Sequence, residues 1–401
     1  STGGELVDSV EQPLGLRYYA IDNAKGFFLN GQPYHLHGVN RHQDRLNKGW
    51  ALSPADEELD VAMLKEIGAT VVRCSHYQQS DYFVSLCDQA GILVWAELSQ
   101  VDRVGADPRF PETSRQQLLD LIRQNINHPS IFAWSLFNEI RPNNPDPHRM
   151  LLDQHLLAKA EDPTRPTIAA TCTDKLPQMN VIPDWLGWNI YPGWYADWGK
   201  LSEFGKTIDD FRYTSREGAL CISEYGAGGN VEQHEDNPRQ PKNDGQWHPE
   251  EYLSIFHEAA WPELKARPFI WGSFVWVMYD FTSFWRKEGG SPGRNTKGLV
   301  TGDRQVKKDA FYYYKANWSD EPMVYLTSRR FTERTNAITD VKVYSNQNAV
   351  EVLLNGTSLG QKSGATNGVF VWKGVQLKPG QNKVEAHAGK ALKDECTWTL
   401  K

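Results

Sequence analysis

Apolar and polar positions along this chain change their period twice. Residues 14–33, LGLRYYAIDNAKGFFLNGQP, run in short stretches around an Asn-Gly turn and read as strands. From residue 34 onward, near-continuous apolar runs of strand length alternate with amphipathic stretches of helix length. Strands are predicted over 34–42, 69–77, 92–98, 130–139, 167–173, 184–193, 219–226 and 269–281. Helices are predicted over 54–68, 81–91, 111–127, 148–161, 201–217, 249–266 and 307–318. Pro54 and acidic residues open the first helix, and Gly68 and Gly91 close the first two. Strands this apolar are expected where helices cover a parallel sheet from outside. Eight βα repeats in sequence point to a (β/α)8 TIM barrel, an α/β fold. The competing doubly wound sheet lacks a glycine-rich phosphate loop after its first strand. After about residue 320 the helical period disappears. Short alternating strands with Asn-Gly and Pro-Gly turns predict a small all-β sandwich, immunoglobulin-like, over 320–401.

Composition narrows the class. With 401 residues and 40% hydrophobic positions, a large core is within reach. A net charge of −7 argues against a nucleic-acid protein, which would show a basic face. No apolar run approaches the roughly 20 residues that span a bilayer, so no membrane partner is expected. The five cysteines, Cys74, Cys87, Cys172, Cys221 and Cys396, are scattered, with no CxxC pair, and read as buried thiols. The first residues, STGGELVDSVEQPLG, lack the basic start and apolar core of a signal peptide.

Aromatic residues are abundant: 15 Trp, 16 Tyr and 16 Phe. Most can be core. Several Trp fall at strand ends beside polar residues, namely Trp95, Trp134, Trp188, Trp194, Trp276 and Trp285. Sugars present flat C–H faces to aromatic rings and hydroxyls to polar neighbours, so these positions are candidate walls of a sugar cleft.

Chemistry in such a barrel sits at the carboxyl ends of the strands, and polar residues gather there. The first strand ends in Asn40, Arg41 and His42. The second carries Arg73 and ends in His76, and the third ends in Glu97. The fourth ends in Asn138 and Glu139, the sixth carries Asn189 and Tyr191, and the seventh ends in Glu224 and Tyr225. The eighth carries Trp276, with Asp280 nearby. Two carboxylates on opposite sides of one barrel mouth suggest glycoside hydrolysis, which needs a proton donor and either a nucleophile or a base. Arg73 is placed to keep Glu224 ionised, Tyr191 to bond it, and Asn138 to meet a sugar hydroxyl. A metal site from His42, His76 and Glu97 competes, but no pair shows helical HxxxH spacing.

LHGVNRHQD, VVRCSHY, HPSIFAWSLFNE, ISEYGA and GSFVWVMYDF, in this order, resemble the signature segments of glycoside hydrolase family 2 over residues 14–318. The family includes β-galactosidases, β-glucuronidases and β-mannosidases. The resemblance implies Glu139 as acid/base, Glu224 as nucleophile, and retention through a covalent glycosyl-enzyme. It implies that His42, Arg73, His76, Asn138, Tyr191 and Trp276 line the subsite of the terminal sugar. Three departures qualify it. Family members carry a jelly roll and an immunoglobulin-like domain before the barrel. Here a remnant of the latter is expected over 1–30, the barrel over 31–319 and the sandwich over 320–401. The chain thus reads as a fragment or processed product, with the absent domains or a second copy as partners beside a carbohydrate substrate. The loop after the third strand, AELSQVDRVG, lacks the His of metal-dependent members, so no magnesium and no other cofactor is expected. Finally, Asn295 and Lys297 match the Asn-x-Lys with which glucuronidases hold a sugar carboxylate. A similar Asn-x-Lys-Gly occurs in the galactosidase subgroup, where the lysine can tie down a loop. The segment NTKGLVTGDRQVKKDAFYYYKANW and the C-terminal sandwich resemble bacterial galactosidases. The expectation is therefore a retaining exo-acting β-galactosidase, with a β-glucuronidase second and a non-catalytic carbohydrate-binding fragment third.

Overall fold

The computed structural model describes residues 8–11, 13–141, 146–214, 218–389 and 391–401. The end of the helix expected over 201–217 and residues 1–7 of the expected remnant lie outside the described residues. Three short strands come first: β1 (Tyr19–Asp22), β2 (Gly26–Leu29) and β3 (Gln32–Pro33), an antiparallel sheet in that order. Then β4 (Leu36–Arg41), β5 (Val71–Cys74), β6 (Leu93–Glu97), β7 (Ile131–Asn138), β8 (Thr167–Thr171), β9 (Trp185–Asn189), β10 (Leu220–Tyr225) and β11 (Ile270–Val275) close into a parallel barrel. All eight coincide with the strands expected from the apolar runs. Helices α1 (Pro54–Ile67), α2 (Asp81–Ala90), α3 (Phe110–Asn125), α4 (His148–Glu161), α5 (Pro177–Asn180), α6 (Phe204–Thr214) and α7 (Glu250–Lys265) lie between them, and α8 (Asp309–Trp318) follows.

Local chemistry sets these boundaries. The Asp56 carboxylate accepts the Ser53 N–H at 2.8 Å ahead of α1, and Ser80 Oγ accepts the Phe83 N–H at the start of α2. Gly68 ends α1 at φ +83°, where an added Cβ would also meet the Trp318 carbonyl oxygen at 2.5 Å. Burial on both faces explains the unbroken apolar runs: all eight residues of β7 are buried. Pairing register slips at the carboxyl ends of β7 and β10, between Ser135 and Asn138 and between Ile222 and Glu224. Both slips fall where a glutamate is delivered, and irregular pairing of this kind re-aims side chains.

The sheet β1–β3 shuts the amino-terminal end of the barrel. Phe27 packs with Phe132, Trp271 and Trp95 in one buried cluster. Tyr19 stacks on Phe27 with centroids 5.7 Å apart and donates its hydroxyl to the Phe132 carbonyl at 2.7 Å. Trp95, fully buried inside the barrel, roofs this floor, and the Arg73 guanidinium lies 5.1 Å above its ring.

Two short strands, β12 (Phe281–Thr282) and β13 (Arg294–Asn295), form a hairpin after β11. The remaining strands are β14 (Val324–Leu326), β15 (Glu333–Arg334), β16 (Ile338–Ser345), β17 (Ala349–Leu354), β18 (Thr357–Ser363), β19 (Val369–Gln376), β20 (Gly380–Ala388) and β21 (Leu392–Leu400). They make two sheets, β14-β16-β19 and β15-β21-β20-β17-β18. The facing sides share a core that includes Val341, Val343, Phe370 and Trp372 from one sheet and Val350, Val352, Val384 and Trp398 from the other. Polar contacts dock this sandwich on the barrel. Arg330 donates to Glu250 and Asp309, Tyr325 donates to Asp309 at 2.8 Å, and Lys342 to Glu258 at 2.6 Å.

Candidate active site

The strand ends of the barrel meet around Arg73. From β5 its Nε and Nη2 donate to the two oxygens of Glu97 at the end of β6, at 2.8 and 3.1 Å. Nη1 donates to Glu224 Oε1 at 2.8 Å and to Asn40 Oδ1 at 3.1 Å, and Nη2 donates to Asn138 Oδ1 at 2.9 Å. One buried guanidinium thus joins residues from β4, β5, β6, β7 and β10. Its own charge is stabilised: burial opposes it, but Glu97 and Glu224 prevail and raise its basicity. His76 closes the ring. Its Nδ1 lies 2.6 Å from Glu97 Oε1, and its Nε2 lies 3.8 Å from Glu224 Oε1. A pair of contacts, with Arg73 and with His76, occupies Glu97, while His42 stacks on Phe281 with centroids 3.9 Å apart.

Glu224 receives a second donor, the Tyr191 hydroxyl at 2.7 Å on Oε2. Burial first and Glu224 second push that phenol far up, so it stays a donor. Glu139 is held differently. It follows β7 at φ +51°, and its N–H donates to the Ala170 carbonyl at 2.8 Å. Asn189 Nδ2 donates to its Oε1 at 2.7 Å, and Ser223 Oγ fixes that amide by donating to Asn189 Oδ1 at 2.7 Å. Among the described residues, no cation gives Glu139 a hydrogen bond like that of Arg73 on Glu224. Burial, and then the Glu224 charge, raise the Glu139 carboxyl above the ordinary range. The two carboxyl groups therefore differ in the way acid–base chemistry needs: one is bonded by a guanidinium and a phenol, the other tends to keep its proton.

His76, Asn138, Glu139, Tyr191, Glu224 and Trp276 share the wall of one cavity of about 630 Å³. Arg73 lies buried beneath it, and His42 stands behind Trp276 and His76, edge-on to both rings. Trp276 stacks against His76, with centroids 5.1 Å apart. Among the tryptophans expected as sugar platforms, Trp276 alone lines the cavity. Trp95 is buried inside the barrel, Trp134, Trp188 and Trp194 are buried in the larger core cluster, and Trp285 is 92% exposed. Arg41 and Asp280 serve packing as well: Arg41 pairs with Asp60 at 2.7 Å, and Asp280 with Lys308 at 2.8 Å.

Asn295 and Lys297 are buried in and beside β13. Asn295 Oδ1 accepts the Lys297 N–H at 3.0 Å. Lys297 Nζ lies 3.2 Å from the Tyr195 hydroxyl, which also accepts from Arg286 Nη2 at 3.3 Å. Tyr195 and Arg286 line the cavity. Burial pushes the Tyr195 phenol up, but the two cations outweigh it and the net direction is down. Burial pushes Lys297 down. Sequence reasoning missed Tyr195 and Arg286. Tyr195 stands four residues after Tyr191, a spacing that carries both to one wall, whereas nothing in the loop around Arg286 marks it.

The family description "Glycosyl hydrolases family 2, TIM barrel domain" matches residues 20–320, and a domain of unknown function (DUF4982) matches residues 336–393. The chain is 44% identical, over 98% of its length, to a β-glucuronidase of Bacteroides fragilis, and covers 58% of that protein. An FMN-binding β-glucuronidase from Facaelibacterium prausnitzii L2-6 superposes with a TM-score of 0.90 at 38% identity, covering 97% of this chain and 59% of that one. A putative β-galactosidase from Bacteroides fragilis superposes with a TM-score of 0.93 at 39% identity, covering 100% of this chain and 60% of that one. The chain thus spans little more than half the length of the relatives it matches. These likenesses overturn the galactosidase expectation, because the curated relative at 44% identity and the solved structure at 38% are both β-glucuronidases. The physical reason is position. Apart from Asn295 and Lys297, the features that suggested a galactosidase lie in the loop and helix of residues 298–318, none of which lines the cavity, and in the sandwich, whereas Lys297 reaches Tyr195 on the cavity wall.

Proposed function

The chain belongs to glycoside hydrolase family 2, and from that premise we infer that it hydrolyses β-D-glucuronides with retention of anomeric configuration. The observation that carries the sugar's identity is the buried cation on Tyr195, Lys297. Lys297 is buried, and Arg286 faces the same hydroxyl from the cavity. Arg286 is paired with Glu288 at 2.6 Å, but among the described residues no carboxylate pairs with Lys297, and keeping a buried cation beside a site is costly without an anionic partner. A hexuronate carboxylate would accept from Lys297, with Asn295 orienting the lysine loop; a neutral sugar has nothing to neutralise that lysine.

The chemistry follows from the asymmetry of the two glutamates. Glu224, held by hydrogen bonds from Arg73 and Tyr191, attacks the anomeric carbon. Glu139 gives its proton to the glycosidic oxygen as that bond breaks, and the aglycone leaves as an alcohol. The ester removes the charge of Glu224, so the Glu139 carboxylate becomes easier to ionise and takes a proton from the incoming water. The water oxygen bonds the anomeric carbon, the ester breaks, and both glutamates return to their starting states. His76, Asn138 and Trp276 surround the sugar ring, with His42 supporting Trp276 from behind. Hydrolysis of 4-nitrophenyl β-D-glucuronide and of the matching galactoside tests the reading. The glucuronide alone should be cleaved, with Lys297→Ala raising its KM. Cleavage of the galactoside alone would overturn it.

A further inference from the structure

Glu139 must face the glycosidic oxygen, so the leaving group lies on its side of the cavity. Loops from three strands and a short helical turn meet there. The loop after β6 brings Asp102, and the loop after β7 brings Arg141. The loop after β8 brings Thr173, Asp174 and Lys175, and Trp198 comes from the turn Ala196–Trp198 after β9. The first two loops are zipped together: Asp102 donates its N–H to the Asn138 carbonyl at 3.1 Å, and Arg141 donates its own to the Asp102 carbonyl at 2.8 Å. Asp102 holds φ +61° to make this exchange. Trp198 is backed by Phe211, with centroids 5.9 Å apart, and Phe211 packs on buried Trp188 at 4.3 Å.

We propose that this end of the cavity is a subsite for a sugar, so that the natural substrate is a glycan ending in β-linked glucuronic acid rather than a glucuronide of a flat apolar alcohol. The inference rests on the glucuronidase reading and adds the chemical class of the leaving group. Two carboxylates, two cations and a hydroxyl lining one end of the cavity offer both acceptors and donors, which is what a ring of hydroxyls needs. An apolar aglycone would displace their water and return no hydrogen bonds. The supported Trp198 ring supplies the flat surface a sugar also uses. A volume of about 630 Å³ lies within the range of sites that enclose ligands of drug size, which leaves room beyond one sugar ring.

Three kinds of substrate test the idea on the intact chain: the four linkage isomers (1→2, 1→3, 1→4 and 1→6) of β-glucuronosyl-galactose, cyclohexyl β-D-glucuronide, and 4-nitrophenyl β-D-glucuronide. A sugar is the more acidic leaving alcohol, so the ratio reports on the subsite through its change in rim variants, where the two leaving alcohols stay the same. At least one isomer should exceed the cyclohexyl glucuronide by tenfold or more in kcat/KM. Lys175→Ala and Asp174→Ala should shrink that ratio several-fold. If the nitrophenyl glucuronide is cleaved but no isomer outperforms the cyclohexyl compound, the subsite is overturned while the glucuronidase stands. If no glucuronide is cleaved by the folded protein, the glucuronidase reading itself fails and the subsite goes with it.

Discussion

Arg73 and Glu224 stand 2.8 Å apart with both side chains buried, and the same guanidinium grips Glu97 at 2.8 Å. A cation shared by two buried carboxylates is a structural keystone as well as an electrostatic one. Arg73→Ala should therefore lower unfolding stability by about 3–5 kcal/mol, since it leaves buried charges uncompensated. Arg73→Lys should recover little, because one ammonium cannot reproduce the forked contacts. Urea denaturation of the three proteins decides it; wild-type stability in the alanine variant would refute the claim.

Replacing either glutamate separates their roles. Glu224→Gln should cost roughly 10⁴-fold or more in kcat whatever the leaving group. Glu139→Gln should cost about 10²- to 10⁴-fold for an alkyl glucuronide, which needs a proton, and far less for a nitrophenyl one. Azide should rescue Glu224→Ala and yield the α-glycosyl azide. A β-azide from that variant would reverse the assignment.

The raised Glu139 carboxyl also predicts how stability responds to pH. Its folded pKa lies above its unfolded value, so its favourable contribution is complete at low pH. That contribution is lost as pH rises from the ordinary glutamate range through the folded value. Glu139→Gln has no such loss. The melting temperature of the variant should match wild type in acid and exceed it increasingly toward neutral pH. Parallel curves would show that Glu139 titrates normally.

Where the sandwich meets the barrel, Arg330 holds Glu250 and Asp309, each 2% exposed. Burial, then the Glu250 charge, raise the Asp309 carboxyl, so its strain grows as pH rises. Arg330→Ala should destabilise the chain by about 3–5 kcal/mol near neutral pH and by less in acid, where Asp309 takes up a proton. Thermal denaturation at two pH values gives the comparison; equal losses at both would count against a role for Asp309.

Much of this was legible beforehand, for identifiable reasons. Apolar runs such as 130–139 and 219–226 announce strands because a covered parallel sheet buries both faces, and each ends on a glutamate that the barrel must deliver to its mouth. The Arg73–Glu224 and Tyr191–Glu224 contacts follow once strand order is known. What could not be read is contact made by loops across the mouth. Arg286 reaches Tyr195 from 91 residues away, and no local pattern encodes that meeting. The tryptophans misled because residue type alone cannot distinguish a core ring such as Trp134 from a wall ring such as Trp276. The loop and helix of residues 298–318 misled because likeness in elements that do not line the cavity carries no information about which sugar is bound.

The three-stranded sheet under the barrel bears on traffic at the site. With Tyr19, Phe27 and Trp95 sealing the floor, the scaffold is a cup rather than a tube, and everything passes over one lip. On the proposed retaining mechanism the departing alcohol would have to clear the place that the incoming water takes, so traffic would be serial, and a second alcohol that reached the vacated place before water would carry the sugar away.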